Sequence, residues 1–207
     1  DEEIALLTPL GIEIYDSSNE RQYRNPVSLK VSEQKMDKMN FKHFMLKEIY
    51  DQPQTAKNWL ENYLIKNSDN GQYQINYPFD TDYFESIERI EIIACGTSKH
   101  AAMVGSFLLE QFSGIPTNVF YASEFRYSPP PLLPNTLTIG VTQSGETADT
   151  IAAIDMEIKR RSSIENKKFK PNLIAITNRK ESSIGRQVSN IIDICAGIEV
   201  GVAATKT

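Results

Sequence analysis

Between residues 90 and 195 the chain repeats one pattern: a short apolar run, a turn, then a helical stretch. Five such runs occur, Ile90–Cys95, Thr117–Ala122, Leu137–Val141, Asn172–Thr177 and Asn190–Cys195. They are apolar nearly throughout instead of alternating, so both of their faces must be covered. Short strands of that kind, separated by helices, fit a parallel sheet with helices packed on both faces. The fold expected is therefore α/β, built on a five-stranded parallel sheet. Helices are expected from Gly96 to about Phe112 and from the end of a turn at 142–147 to about Arg161, with a short helical turn at Ser182–Gln187. Ser123–Pro134, with three consecutive prolines, reads as a loop.

The first part of the chain has a different texture. Ile4–Thr8 and Ile12–Tyr15 flank a Pro9-Leu10-Gly11 turn and read as a β-hairpin over residues 1–16. Two strands alone are marginal in water, so the hairpin is expected to belong to a larger sheet. Residues 17–40 are polar, contain Pro26 and read as a linker. From Phe41 the spacing of Phe44, Met45 and Ile49 is helical, and Pro53 is expected to end or restart that helix. Ala56, Trp59, Leu60, Tyr63 and Leu64 form an amphipathic stripe expected in the core, and Asn67–Gly71 reads as a turn.

With 207 residues, the chain is long enough for one α/β domain plus an appendage. A net charge of −5 gives no basic footprint for a nucleic acid. No apolar run approaches the roughly 20 residues of a membrane-spanning helix. Two cysteines make no disulfide framework, and nothing resembles a signal peptide, so a cytoplasmic setting is expected. The chain starts at Asp1 and ends at Thr207 directly after a motif, which suggests a piece of something longer.

Two turns carry the chemistry. Cys95-Gly96-Thr97-Ser98 and Thr142-Gln143-Ser144-Gly145-Glu146-Thr147 each join the carboxyl end of a strand to the start of a helix. Ligands of open α/β sheets bind at that end, where helix N-termini offer free N–H groups and partial positive charge. Hydroxyls of Thr97, Ser98, Thr142, Ser144 and Thr147, with the Gln143 amide, add donors, and Gly96 and Gly145 allow close backbone approach. The alternative is that the hydroxyls are ordinary N-caps. A shared anion site requires the first and third strands to be neighbours, as in a flavodoxin-like 2-1-3-4-5 order. Neither loop contains Lys or Arg, which points to a small phosphomonoester. The motifs of nucleoside triphosphatases and dinucleotide binders are absent.

Other residues carry less. Glu199 faces a sugar or is solvated. Lys206 is a Schiff-base candidate or a surface charge. Cys95 is a nucleophile or a small core residue. The two histidines, His43 and His100, make no zinc site.

Lys47–Pro53, Cys95–Ser98, Ser123–Tyr127, Gln143–Thr150 and Glu199–Lys206 together, in this order, resemble the glutamine–fructose-6-phosphate aminotransferase family over about residues 41–207. The resemblance implies the first of two sugar isomerase (SIS) modules at 41–207, preceded by the last hairpin of a glutaminase domain at 1–16 and a linker at 17–40. It implies that fructose-6-phosphate or glucosamine-6-phosphate binds here. Ser98, Thr142, Gln143, Ser144 and Thr147 would hold the phosphate, and Cys95, Thr97, Val202 and Ala203, with Glu199, would line the sugar. Thr142 and Ala204 each stand where the family commonly has Ser. The catalytic Cys, Glu, His and Lys of the family fall outside this chain, so no catalytic residue, metal or cofactor is expected within it. The expected partners are the glutaminase domain, the second SIS module and a second copy in a homodimer. A non-catalytic phosphosugar-sensing SIS module, and a one-module isomerase with Glu199 as base, are the alternatives.

Overall fold

The computed structural model describes residues 3–25, 37–67 and 71–207, with the side chains of residues 81 and 82 excepted. The expected linker centre around Pro26 (residues 26–36) and the turn at 68–70 lie outside the described residues. The chain divides into two compact units, Asp1–Lys35 and Met36–Thr207.

In the first unit β1 (Ile4–Thr8) and β2 (Gly11–Tyr15) form the expected antiparallel hairpin, with Ile4 opposite Tyr15. A third strand, β3 (Arg21–Gln22), pairs with β2, inside the segment read as linker. The cause is Asp16. Its carboxylate accepts the N–H groups of Ser18 and Glu20 and a proton of the Gln22 amide, which reverses the chain after β2.

The second unit opens with α1 (Phe44–Tyr63), which runs through Pro53 instead of ending there. A proline inside a helix costs about 3 kcal/mol. The cost is tolerated because the helix face around it is docked: Glu48 and Gln52 both bind backbone of residues 200–205. That docking also sets which face turns inward. Glu48, Thr55 and Tyr63 are buried, while Ala56, Trp59 and Leu60 of the expected core stripe remain exposed. Tyr63 alone of the stripe is buried, and its hydroxyl accepts the Asp193 N–H at 2.8 Å. A short antiparallel pair follows, β4 (Leu64–Lys66) with β5 (Tyr73–Ile75).

The remainder is the expected sheet. In chain order come β6 (Arg89–Ala94), α2 (Gly96–Ser113), β7 (Thr117–Tyr121), α3 (Ala122–Phe125), β8 (Thr136–Thr142), α4 (Ala148–Ser162), β9 (Leu173–Thr177), α5 (Ser183–Gln187) and β10 (Asn190–Asp193). All neighbours are parallel, in the order β10-β9-β8-β6-β7, which is 2-1-3-4-5 in sheet-strand sequence. The one-turn α3 takes Ala122, read as the end of the second strand, and the first three residues of the segment read as loop. Ala122 and Phe125 form its inward side and are both buried, and the Phe125 ring sits edge-on to Phe120 at 5.5 Å.

Successive residues of β6 serve opposite faces, which explains why Ile92, Ile93 and Ala94 are all apolar instead of alternating with polar residues. Ile92 packs with Ala102, Leu137, Ile139 and Ile174, whereas Ile93 packs with Ala153, Ile154, Phe125 and Ile184. Each such aliphatic side chain contributes about 1.5–3 kcal/mol on full burial. One polar cluster interrupts the core. Arg161 of α4 donates to Glu157 at 2.6 Å and to the Leu133 carbonyl at 3.1 Å, tying the proline-rich loop to the helix. Buried Glu91 lies within their field: burial first, and the Glu157 carboxylate next, push its carboxyl above the ordinary range.

Candidate functional site

The strand order reverses between β6 and β8, the place where doubly wound sheets open a crevice. Ala94 is paired with Val141 there, so the loops that leave β6 and β8 lie side by side. Between them is a cleft of about 400 Å³, lined by Cys95, Gly96, Thr97 and Ser98 from the first loop and by Gln143, Ser144 and Thr147 from the second. Val202, Ala203 and Ala204, from the segment after β10, form its remaining wall. None of these lining residues carries a formal charge.

Local chemistry shapes each wall. Cys95 and Thr147 occupy the N-cap positions of α2 and α4, and neither helix takes a side-chain cap. The N-cap explanation for the hydroxyls therefore does not account for them, and the start of α2 (Gly96–Ser98) and the N-cap of α4 (Thr147) border a neutral, hydroxyl-rich cleft. Ser144 Oγ accepts the Glu146 N–H at 3.1 Å. Gly145 is left-handed, with φ of 69°, and a Cβ there would fall 1.9 Å from Ser182 Oγ. Its carbonyl accepts the Ile184 N–H at 3.1 Å, and the Gln143 carbonyl accepts the Asn178 N–H at 3.1 Å. Glu146 points away from the cleft and accepts the Ser183 hydroxyl at 2.6 Å and its N–H at 2.9 Å. Those two donors hold the Glu146 carboxyl below the ordinary carboxylate range. The second loop is thus braced from behind by the β9–α5 connection.

The third wall is a strap, residues 197–207, folded on itself by Glu199. One Glu199 oxygen accepts the N–H groups of Thr205 (2.8 Å) and Lys206 (3.0 Å), and the other accepts the Thr207 hydroxyl (3.0 Å). Lys206 is buried and donates to the Ile198 carbonyl at 2.6 Å, with Asp51 at 3.8 Å.

The structure thus brings together Cys95, Thr97, Ser98, Gln143, Ser144, Thr147, Val202 and Ala203 around one cleft. Two other expected site residues stand behind it. Thr142 is buried at the end of β8, where its hydroxyl shares a hydrogen bond with that of Thr147 at 2.9 Å. The Glu199 carboxylate is half-buried and engaged by two strap N–H groups and the Thr207 hydroxyl. Lys206 is neither a free amine in the cleft nor a surface charge. Sequence reasoning missed Glu48, Asp51 and Gln52 of α1 as anchors of the strap. Their signal was present, in the Lys47–Pro53 motif and in a buried helix position occupied by Glu, but their partners lie some 150 residues away. Among the described residues no group of three or more His, Cys, Asp or Glu side chains is placed to hold a metal, and no helix is long and apolar enough to cross a membrane.

Comparison with known proteins adds a second line of observation. The chain is 54% identical over 209 residues to the glutamine–fructose-6-phosphate aminotransferase [isomerizing] of Thermosynechococcus vestitus, covering 99% of this chain and 33% of that protein. It is 51% identical to the protein of the same name from Synechocystis sp., with the same coverage. The chain therefore spans about a third of the length of the curated relatives it matches. Among solved structures, the C-terminal domain of glucosamine-fructose-6-phosphate aminotransferase from Francisella tularensis superposes with a TM-score of 0.67 at 34% identity, over 82% of this chain and 44% of that one. The SIS domain family model matches residues 83–207, the stretch that holds the parallel sheet, both loops and the strap. By fold, by cleft and by sequence, the chain belongs to the SIS domain family.

Proposed function

We propose that this chain is the phosphosugar-binding part of an enzyme that converts fructose-6-phosphate and glutamine into glucosamine-6-phosphate and glutamate. The observation that carries the reading is the uncharged cleft in which two hydroxyl-bearing helix N-termini meet at the sheet's switch point. A dianionic phosphate suits that end of the cleft, held by Ser98, Gln143, Ser144 and Thr147 together with first-turn N–H groups. The sugar then lies toward Cys95, Thr97, Val202 and Ala203. Thr142 orients the Thr147 hydroxyl, and Glu199 gives the strap its shape. In this reading residues 1–16 close a glutaminase domain, 17–40 link, and 41–207 form the first of two SIS modules. The glutaminase domain, the second SIS module and a second copy of the chain are the partners, in the cytoplasm. The exposed Val104, Phe107 and Phe112 on α2 support a protein cover on that face.

The aldose–ketose shift proceeds through an enediol-type intermediate with a positioned carboxylate base and calls for no cofactor. Glu199, engaged by three donors, is not such a base, which argues against a one-module isomerase. The base and the amine-bearing groups come from outside this chain. The test is calorimetric. The 207-residue chain should bind fructose-6-phosphate and form no glucosamine-6-phosphate from it with glutamine. Ser144→Ala combined with Thr147→Ala removes two hydroxyls from an anion and should weaken binding about a hundredfold. Unchanged affinity, or turnover by the chain alone, would refute the reading.

A further inference from the structure

The strap is held by a helix that contributes nothing else to the cleft. Glu48, Asp51, Gln52 and Thr55 share one face of α1, at helical spacing. Glu48 is 2% exposed. One of its oxygens accepts the Val200 N–H at 2.5 Å, and its two oxygens accept the Gly201 N–H at 3.2 and 3.1 Å. Gln52 donates to the Thr205 carbonyl. The strap is therefore pinned at 200–201 and again at 205, leaving Val202, Ala203 and Ala204 as the stretch between the pins. That stretch is the cleft wall farthest in sequence from the two helix N-termini. The fit at the pin is close: a Cβ at Gly201 would come within 2.5 Å of Glu48 Oε2. A buried carboxylate at this position is costly unless its oxygens are used, and here the strap backbone uses them.

We infer that Glu48 is a positioning residue for sugar recognition: it sets the strap, and so the sugar-side wall of the cleft, without taking part in phosphate binding. This rests on the phosphosugar reading above and adds to it which residue lets the cleft hold a phosphosugar more tightly than phosphate alone. The physical basis is separation of the two walls. The second phosphate loop is braced by the β9–α5 connection through Glu146 and Gly145, contacts that involve neither α1 nor the strap. Its tie to the strap runs through Asn178, which donates to the Gln143 and Gly197 carbonyls, upstream of the Glu48 pin. Loosening the Glu48 pin therefore moves one wall and leaves the other in place.

The experiment compares two probes, fructose-6-phosphate and inorganic phosphate, by calorimetry on the full 207-residue chain. Glu48→Ala leaves the Val200 and Gly201 N–H groups without their acceptor. It should weaken fructose-6-phosphate binding about tenfold, the loss expected from one charge-assisted hydrogen bond, with inorganic phosphate unchanged. Glu48→Gln keeps one acceptor and should fall between wild type and Ala. Gly201→Ala strikes the same contact from the strap side with Glu48 intact, should give the same split, and decides the matter if Glu48→Ala does not fold. A parallel loss of both ligands, as general destabilisation produces, overturns the proposal, and so does unchanged binding of both. If the wild-type chain binds phosphate but shows no preference for the phosphosugar, the phosphosugar reading falls and this proposal falls with it. A preference in the wild type that Glu48→Ala retains overturns the role of Glu48 alone.

Discussion

Gly145→Ala tests how the phosphate loop is built. Gly145 is left-handed at φ 69°, a region that costs an L-residue roughly 1–2 kcal/mol. An added Cβ also meets Ser182 Oγ at 1.9 Å, Ser182 Cβ at 2.3 Å and Thr177 Oγ1 at 3.1 Å. Neither neighbour yields easily: Ser182 is the N-cap of α5, and its hydroxyl donates to the Arg179 carbonyl at 2.6 Å. Overpacking of that kind costs about 1–3 kcal/mol, so the sum is about 2–5 kcal/mol against a typical domain stability of 5–15. Gly96→Ala is the matched control, because φ is 54° there but nothing lies within 4 Å of the new Cβ. It should cost only the roughly 1–2 kcal/mol of backbone strain. Urea unfolding of both variants reads the difference. Adding Ser182→Gly to Gly145→Ala removes the colliding atoms at a cap cost of a few tenths of a kcal/mol, and should recover most of the steric part. Equal losses in the two single variants, or no recovery in the double, would refute the account of the loop as wedged against α5.

Two further outcomes follow from side-chain chemistry. The Glu91 carboxyl is raised above its ordinary value of 4.5, by burial first and by Glu157 next, so its contribution to stability is full below that value and is lost as pH rises through the raised one. Glu91→Gln should therefore stabilise the protein at neutral pH, with a gain that shrinks toward pH 4 in urea unfolding. A gain independent of pH would contradict this. The cysteines should also separate under alkylation monitored by mass spectrometry. Burial, with the neighbouring Asp193 carboxylate, pushes the Cys195 thiol up, so it should react slowly at neutral pH whether or not ligand is present. Cys95 lines the cleft and should be protected by fructose-6-phosphate. Equal protection of both would place the ligand elsewhere.

What was legible in the sequence, and what was not, follows from the range of the interactions. Near-continuous apolarity in Ile90–Ala94 and its four counterparts already points to a two-sided parallel sheet, because Ile92 and Ile93 need separate cores. The two hydroxyl-rich turns are local, so their place at strand ends could be read directly, and the order 2-1-3-4-5 puts them together. Elements held by distant polar contacts could not be read that way. Pro53 looks like a helix breaker, and the Trp59 stripe looks like core, until Glu48 and Gln52 are seen docked on residues 200–205. Glu199 and Lys206 look like free functional groups until the strap closes on them. Apolar patterning is written along the chain because every strand and helix must bury its own face. A carboxylate's partner is chosen only when the tertiary fold brings a backbone N–H to it, and in this protein that choice decides the third wall of the cleft.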